Sequence, residues 1–439
     1  MAQSRFYGWK LLTAFWWIVF INLGFAAYGT PVMNAGMAVQ LHLSRTMAGL
    51  PYSMYTWMSA VPSVLVAVLI RRFGVRLTVM FGCLLVIAGC VLMGTVVDSG
   101  LTATLVIGIL IAFGVCAGGV FGTQPGLVLW FERRRALAIS ILYAGGATGG
   151  IFAARLLNRV ITAAGGNWRA GWWLFAALAA LACVLAAVFI REKPSDLGQQ
   201  PDGRPASPPL APGAPEGSEP APAPRALASF ITREVWTLPQ VLRSPKYWIL
   251  VLALAGGSAG YTLFLAQGVL HLKDLGFTTT ESAYSISVMT LVDLVAGKAA
   301  LAVFGDRFDP RYIWAVSAAA FGAGFLLLVD PRSMASVYAF SACIGLGFGA
   351  GIVCVMAVVS NYFGTEVFAA AAGIAAGLNT TIAFGVSVLG GLVYDRLHTY
   401  APTFYTLAVW CFAGAIVLAL MRPPRQREPR GAAVAVSGA

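Results

Sequence analysis

Long apolar stretches alternate with short polar segments along the whole chain of 439 residues. A helix needs about 20 apolar residues to cross the hydrocarbon core of a bilayer, and most of these stretches reach that length. The pattern therefore predicts an all-α membrane protein with twelve transmembrane helices. The predicted spans are residues 9–29, 46–70, 77–97, 101–130, 136–163 and 169–190, then 247–270, 282–304, 312–329, 336–363, 367–393 and 403–421.

A long polar segment divides this pattern into two sets of six helices. Residues 191–230 are rich in proline, alanine, glycine and serine, a composition that cannot bury a core and predicts a disordered linker. The stretch ITREVWTLPQVLRSPKYW that follows is typical of an amphipathic segment at a membrane surface. We predict one six-helix bundle over 1–190, a linker over 191–243, a second six-helix bundle over 244–421 and a tail over 422–439.

Composition and charge agree with this picture and orient it. Hydrophobic residues make up 59% of the chain and charged residues only 10%, compared with about 25% charged in soluble domains. The net charge of +12 comes largely from short basic clusters such as RRFGVR and ERRR between apolar runs. By the positive-inside rule, both termini and the linker are cytoplasmic in a multi-pass cell-membrane protein, an inner-membrane protein in a Gram-negative organism. Nucleic-acid binding is not indicated.

Residue types that often carry chemistry are placed as packing or loop residues. The seven cysteines lie inside apolar runs and form no Cys-x-x-Cys pair, so no disulfide framework or zinc site is indicated. The three histidines, His42, His271 and His398, fall in or beside predicted external loops, where solvated side chains are expected. AGGATGG and GLGFGAG follow no strand and predict close helix contacts, not nucleotide loops. Without a Walker sequence, metal cluster or catalytic triad, neither an enzyme nor a cofactor is predicted.

The two predicted bundles resemble each other in sequence. RRFGVR follows the second span and DRFDPR follows the eighth, with Arg72 and Arg307 lying 235 positions apart. WFERRRALA follows the fourth span and YFGTEVFAA follows the tenth, with Phe131 and Phe363 lying 232 positions apart. A nearly constant offset indicates two pseudo-symmetric six-helix bundles, an arrangement common among secondary transporters.

The repeated loops resemble those of the major facilitator superfamily, whose loop between helices two and three usually reads G-x-x-x-D-R-x-G-R-R. The first copy here, AVLIRRFGVR, has Ala67 in place of the glycine and Arg71 in place of the aspartate. In the family these charges bridge neighbouring helices and bias the equilibrium between inward-facing and outward-facing states. The resemblance therefore implies gating roles for Arg72, Gly74 and Arg76 in the first copy and for Asp306, Arg307 and Arg311 in the second.

Three further motifs are similar to those of monocarboxylate transporters and their bacterial relatives that exchange oxalate and formate: FYGWK, WFERRRALAISILYAGGATGG and GNWRAGWW. Helix eight of monocarboxylate transporters contains Phe-x-Asp-x-x-x-Arg, whose arginine holds the substrate carboxylate. LVDLVAGK keeps Asp293, but Gly297 occupies the arginine position and Lys298 comes one residue later. AAYGTPVMN also lacks the lysine that helix one often adds. The resemblance implies a small organic anion as solute, with a monocarboxylate as a hypothesis.

Asp293 is the first candidate for transport chemistry. It lies near the middle of the eighth span, about 16 Å from the end that leads into DRFDPR, at the depth where transporters place substrate and coupling-ion sites. An acid at that depth is costly unless it is functional or compensated. We predict a proton carrier, and the alternative is a structural, hydrogen-bonded or ion-paired aspartate.

Two cations are candidates for anion contact. Lys298 lies five residues beyond Asp293, which in an α-helix places it about 140° away, so it either snorkels towards the cytoplasm or reaches another helix. Arg155 lies near the external boundary of the fifth span, where it either snorkels to headgroups or forms an external anion funnel. Polar residues within spans face the interior as packing or lining groups; these candidates are Asn22, Tyr28, Gln124, Tyr261, Gln267, Asn379 and Thr380.

We therefore predict a monomeric secondary transporter that moves a small organic anion together with protons by alternating access. Its partners are the solute, protons and the lipid bilayer. One alternative is a proton-driven exporter of a neutral or cationic metabolite or drug, because an acid without its arginine suits a cationic solute. A second is a membrane sensor or scaffold that has lost transport and signals through its linker and tails.

Overall fold

The computed structural model describes residues 6–59, 61–132, 134–203, 230–232, 234–299, 308–364 and 366–424. Within these ranges all regular secondary structure is helical, as predicted. Ten of the described helices are long and apolar enough to cross a membrane. They are α1 (Gly8–Gln40), the helix Ser63–Thr95, α4 (Gly100–Trp130), α5 (Arg135–Ala163), α6 (Arg169–Phe189), α7 (Pro245–Asp274), α9 (Pro310–Val329), α10 (Met334–Phe363), α11 (Phe368–Leu397) and α12 (Ala401–Leu420).

Two further segments are consistent with the remaining crossings. The helix Arg45–Met58 is followed by Ser63–Thr95, inside which Gly74 has φ 83° and ψ 170° and reverses the chain. Arg45–Met58 together with the part before Gly74 is α2, and the part after Gly74 is α3. The helix Thr279–Val292 continues as a π-helical turn, Asp293–Ala299, and the two form α8.

The bundle has a linker end and a far end. At the linker end, α1 and α7 begin and the segments on both sides of the linker pack against the helices. The Tyr7 backbone N–H donates to Gln199 Oε1 at 2.9 Å. The Trp236 ring packs edge-on against Phe363 at the end of α10, with the centroids 5.2 Å apart. The predicted amphipathic segment therefore lies against the second bundle and includes a short helix, Leu238–Arg243.

Glycines bring several helix pairs into backbone contact, which confirms the prediction made for the two glycine-rich stretches. A Cβ built on Gly24 of α1 would lie 2.6 Å from Cα of Gly149 on α5. A Cβ on Gly297 of α8 would lie 2.5 Å from Cα of Gly349 on α10. Lipid tails are as apolar as leucine, so helices in a membrane associate through such close packing at small residues.

The two bundles meet along α2 and α11, and their contact weakens towards the linker end. One face of α11 touches α2 at three successive levels. Ser53 Oγ donates to Ser387 Oγ at 2.8 Å, and Trp57 Nε1 donates to Thr381 Oγ1 at 3.2 Å. Near the far end, a Cβ on Gly391 would lie 2.8 Å from Cα of Thr46.

Several glycines of α11, among them Gly385, face open space. A Cβ built on Gly377 or Gly373, one and two turns closer to the linker end than Thr381, would meet nothing within 4 Å. The contacts described between α2 and α11 therefore lie from Thr381 towards the far end.

One histidine differs from expectation. His271 was expected beside a loop with a solvated side chain, but α7 extends to Asp274 and buries it, with 5% of its surface exposed. Its Nε2 donates to the Leu328 carbonyl at 2.7 Å, and its ring packs edge-on against Tyr400 and Phe404. This expectation was wrong because the helix continues past the apolar run. His42 and His398 are exposed, as expected.

Candidate functional site

Asp293 lies at the centre of the protein, where α8 changes from an α-helix to a π-helical turn. Only 2% of its surface is exposed. Its carboxylate lies against α10, because a Cβ built on Gly349 would be 2.6 Å from Asp293 Oδ1. One turn before it, Thr290 lies with Tyr28 of α1 against Gly150 of α5, since a Cβ there would be 2.9 Å and 2.5 Å from the two side chains. Asp293 is therefore buried where helices from both bundles meet.

The tyrosines beside Asp293 connect the two bundles. Tyr261 OH donates to Tyr28 OH at 3.2 Å. The Tyr261 ring stacks on Phe348 of α10, with centroids 4.1 Å apart and planes 6° from parallel. Gly150 of α5 leaves the space for the Tyr28 ring, since a Cβ there would lie 2.5 Å from a ring carbon. Two sequence-predicted lining residues, Tyr28 and Tyr261, are thus brought together with Asp293.

Two further tyrosines near this site were not singled out from the sequence. Tyr52 and Tyr55 on α2 are buried, and their ring centroids lie 5.6 Å apart. Both lie near Tyr28. Their spacing of three residues in PYSMYTWM places them on one helix face, and that is the signal by which they could have been found. We call Tyr28, Tyr52, Tyr55, Tyr261 and Asp293 the central cluster.

Two members of the central cluster, Tyr28 and Asp293, lie on π-helical turns. Tyr28 belongs to Phe25–Gly29 in α1, and Asp293 begins Asp293–Ala299 in α8. π-Helical turns are rare in proteins, but those that occur are often at functional sites. Because a π turn bonds residue i to residue i+5, backbone positions 293 and 298 are about one turn apart. The separation of about 140° expected for Lys298 assumed an α-helix and was wrong. The side chain of Lys298 lies outside what the structure describes.

Gly297 stands where the resembling transporters carry arginine. A Cβ at this position would lie 2.5 Å from Cα of Gly349 and 2.8 Å from its carbonyl carbon. These are backbone atoms of α10, which cannot move aside as a flexible side chain can. In this helix arrangement, position 297 has no room for a side chain, so an anion contact cannot come from it.

Arg155 lies on α5 towards the far end from the central cluster and faces α8. Its guanidinium carbon is 4.6 Å from the centre of the Tyr284 ring. Its Nε is buried and has no hydrogen-bond partner among the described residues. Beyond it, Asn158 Nδ2 donates to Thr280 Oγ1 at 2.9 Å. A cleft of about 630 Å³, lined in part by Asn158, Thr280 and Lys273, opens at this end.

A second polar cluster closes the far end between the bundles. Arg45 at the start of α2 bonds Asp274 of α7 with N–O distances of 2.6 and 2.8 Å. Asp395 of α11 accepts the backbone N–H groups of Arg45 and Thr46 at 2.7 and 3.1 Å and the Thr46 hydroxyl at 2.6 Å. Tyr394 OH donates to Asp274 at 2.7 Å. We call these five residues the far-end clasp.

Gln267, predicted to line the path, lies in the layer beneath this clasp. It is 2% exposed, its Nε2 donates to the Ser387 carbonyl at 3.1 Å, and its Oε1 accepts from Tyr400 OH. A Cβ on Gly49 of α2 would lie 2.4 Å from its Nε2. The amide is therefore engaged in the contact between the bundles.

The other uncharged candidates are not brought together with the central cluster. Asn22 is fully buried and donates to the Gly118 carbonyl at 2.8 Å, which joins α1 to α4. Gln124 accepts from Tyr143 OH at 3.3 Å between α4 and α5. Thr380 donates to the carbonyl one turn earlier in α11. Asn379 Oδ1 is buried without a hydrogen-bond partner in the described chain.

The repeated loops differ between the halves. In the first copy, Gly74 makes the turn, the Arg72 guanidinium lies 5.4 Å from the centre of the Phe73 ring, and Glu192 accepts the backbone N–H groups of Val75 and Arg76, each at 2.9 Å. In the second, Asp309 caps α9, while the Arg311 guanidinium bonds the Met421 carbonyl and Tyr312 OH. The predictions for Asp306 and Arg307 lie outside the described residues.

Comparison with known proteins identifies relatives of one kind. The family model of the Major Facilitator Superfamily matches residues 15–376 and 294–437. Monocarboxylate transporter 3 of Rattus norvegicus is 26% identical over 418 residues, which cover 91% of this chain and 76% of that protein. The uncharacterized MFS-type transporter YhjX of Escherichia coli is 21% identical over 346 residues, which cover 77% of each protein.

Solved structures with this fold are also transporters. A peptide transporter in complex with sulfate superposes with a TM-score of 0.68 and 17% identity, covering 93% of this chain and 94% of that one. A D-xylose–proton symporter superposes with a TM-score of 0.67 and 14% identity, covering 96% and 98%. At this identity the likeness concerns the fold alone.

Proposed function

This chain belongs to the Major Facilitator Superfamily as a multi-pass membrane solute transporter, not an enzyme, and we propose that it moves a small organic anion together with a proton. A monocarboxylate is the first candidate, because the similar transporter from rat is named for that class of solute. Proton coupling is assigned to Asp293, and the route is alternating access between two bundles that rock about the central cluster.

The observation that carries this proposal is the position of Asp293. The carboxyl group is buried, with 2% of the residue exposed, and lies against Gly349 of α10, while Thr290 one turn earlier lies with Tyr28 against Gly150 of the other bundle. An intramembrane acid of this kind is a functional candidate by default. The Tyr28–Tyr261 hydrogen bond crosses the bundle interface, so it changes whenever the bundles separate at this level. Binding of a proton and movement of the bundles are thereby coupled at one place.

Because position 297 has no room for a side chain, the cation that binds an anionic solute must be a different residue. We propose Lys298, whose backbone lies about one π turn from Asp293, as the cation near the central cluster. Arg155 is proposed to attract the anion at the far end, where its guanidinium lies over Tyr284. A guanidinium offers a planar pair of donors that suits a carboxylate.

We propose that open space between the bundles on the linker side of Thr381 and the far-end clasp form the two sides of the transport cycle. With the linker end assigned to the cytoplasm by the positive-inside rule, this conformation is inward-open and the clasp is the closed outer gate. We assign residues 1–190 and 244–421 to the two moving bundles, residues 191–243 to the cytoplasmic linker and 422–439 to a cytoplasmic tail.

The test is proton-coupled uptake by the full chain in proteoliposomes, with labelled pyruvate and lactate as probes. A pH gradient, acidic on the outside, is expected to drive accumulation by the wild type. Asp293→Asn is expected to abolish accumulation against a gradient while the protein remains in the membrane. Asp330→Asn is the matched control, because it removes a carboxylate from an exposed loop that pairs only with nearby Arg332 among the interactions described. Unchanged coupled uptake in Asp293→Asn contradicts the proton-carrier assignment.

A second function is favoured by the close packing at Gly297. An acid with no cation at position 297, where monocarboxylate transporters carry arginine, suits a neutral or cationic solute that is exported in exchange for protons. The same proteoliposomes separate the two possibilities with a hydrophobic cation as probe. Proton-driven movement of the cation, in the absence of any flux of the two acids, selects the exporter.

A further inference from the structure

The contact between α8 and α10 is closest at the residue proposed to carry the proton. A Cβ built on Gly349 would lie 2.5 Å from the Asp293 carbonyl oxygen, 2.6 Å from Asp293 Oδ1 and 2.8 Å from Cα of Gly297. Real Cβ atoms essentially never approach other atoms within 3.0 Å. The carboxylate therefore occupies space that exists only because position 349 has no side chain.

Neighbouring glycines on α10 do not share this contact. A Cβ on Gly345 would meet the Met289 carbonyl oxygen at 2.2 Å and the Asp293 backbone nitrogen at 3.2 Å, and its three nearest atoms include no carboxylate oxygen. A Cβ on Gly351 would have its nearest neighbour at 3.7 Å, an ordinary van der Waals distance. Both are buried on the same helix. Gly349 thus differs from them by its approach to the carboxylate oxygen.

We propose that Gly349 is a positioning residue that holds the Asp293 carboxylate in the place where it takes up and releases its proton. This inference rests on the proposed proton-carrier role of Asp293. Ordinary van der Waals contact between a methyl group and an oxygen begins at about 3.4 Å. With a methyl group at position 349, Asp293 Oδ1 therefore has to move by about 0.8 Å, or α10 has to move away. A displacement of about 1 Å at a reacting group can cost a factor of about 100 in rate.

The experiment compares Gly349→Ala with Gly345→Ala and Gly351→Ala in the full chain, each in proteoliposomes with pyruvate as probe. The quantity measured is the pH dependence of coupled uptake. We expect the midpoint in Gly349→Ala to move by about one unit, the usual spread of carboxyl groups among protein environments. Gly345→Ala is expected to lower uptake and thermal stability without moving the midpoint, and Gly351→Ala is expected to match the wild type.

A readout that does not need the solute is the reaction of Asp293 with a hydrophobic carbodiimide. The protonated carboxyl group adds to the carbodiimide, and the adduct rearranges to a stable acylurea that is found by mass spectrometry. The rate is expected to fall with rising pH, and the midpoint in Gly349→Ala is expected to move as it does for uptake. Identical midpoints in all three variants and the wild type, by both readouts, overturn the inference.

A double-mutant cycle separates this inference from the proposed function. If Gly349 acts through the carboxylate, Gly349→Ala has no further effect on the downhill uptake that Asp293→Asn retains, because coupled effects are not additive. A full additive loss shows a structural role and overturns the inference. If Asp293→Asn itself keeps coupled uptake, the proposed function fails at its own step.

If Gly349→Ala does not accumulate in the membrane, a double variant that combines Asp293→Ala with Gly349→Ala shows whether the clash involves the carboxylate or the helix backbones. Alanine at 293 removes the carboxylate and leaves only the backbone contacts. Recovery of the folded protein shows that the clash was with the carboxylate and supports the inference. No recovery assigns the clash to the helix backbones and overturns it.

Discussion

The far-end clasp should set the balance between the two transport conformations, and removing Asp395 tests this most directly. Asp395 accepts three hydrogen bonds from the start of α2, two from backbone N–H groups and one from Thr46 Oγ1. It therefore caps a helix of the opposite bundle. These bonds are lost in any state in which the bundles separate at this end, so the clasp stabilises the state described here relative to the other.

The size of the effect follows from these contacts. Removing a cap at a helix N-terminus costs about 0.5–2 kcal/mol, and hydrogen bonds to a charged group contribute about 1.5–3 kcal/mol. We take about 2 kcal/mol for Asp395→Ala, which changes the ratio of the two conformations by roughly 30-fold, since 1.4 kcal/mol is tenfold. The Arg45–Asp274 pair is partly exposed, with side chains 18% and 32% accessible, so Arg45→Ala should shift the ratio by roughly fivefold or less.

The assay is labelling of Gly377→Cys from the linker end with a membrane-impermeant maleimide, in a background without the seven native cysteines. Gly377 faces open space in this conformation, so its labelling rate reports the fraction of molecules in it. Asp395→Ala is expected to lower that rate, and Asp395→Asn, which keeps an acceptor oxygen, is expected to lower it less. The matched control is Arg332→Ala, which breaks an exposed pair within one loop. An unchanged rate in Asp395→Ala, or an equal fall in the control, refutes the gating role.

Three further outcomes are expected. Gly74→Ala should lower the free energy of unfolding by about 1–3 kcal/mol, because φ 83° and ψ 170° are strained for any other residue. The measurement is a thermal-shift series in which the control is Gly377→Ala, a helical position that faces open space. Equal melting temperatures for the two variants contradict the prediction. Arg155→Gln should raise the KM for pyruvate several-fold with little change in maximal rate. Arg159→Gln, one turn further along the helix and exposed, should leave the KM unchanged. Similar kinetics for the two variants contradict an anion funnel at Arg155. Tyr261→Phe removes the hydroxyl that donates to Tyr28 and should slow coupled uptake by roughly fivefold, the value of about 1 kcal/mol for one hydrogen bond; wild-type uptake would show that the bond is dispensable.

The sequence by itself predicted the placement of the ten spans found in the described part of the chain, because a membrane helix must be apolar over a fixed length. It also identified Asp293, since an acid inside a long apolar run is costly wherever the helices lie. The glycine-rich stretches predicted close helix contacts, and the resemblance of the loop motifs indicated the family. The sequence placed His271 incorrectly, because the apolar run ends before the helix does.

Only the tertiary structure decided which of the polar residues act together. Tyr28 and Tyr261 are 233 positions apart in the chain and share a hydrogen bond, while Gln267 is held in the contact between the bundles. The π-helical turn at Asp293 changed the register that α-helical spacing had predicted, and Gly349 came to lie against the carboxylate. Each apolar run along the chain predicts its own helix independently of the others. A site in a membrane transporter, in contrast, is built from single residues on several helices. Their meeting depends on how closely the backbones pack, which a linear pattern does not encode.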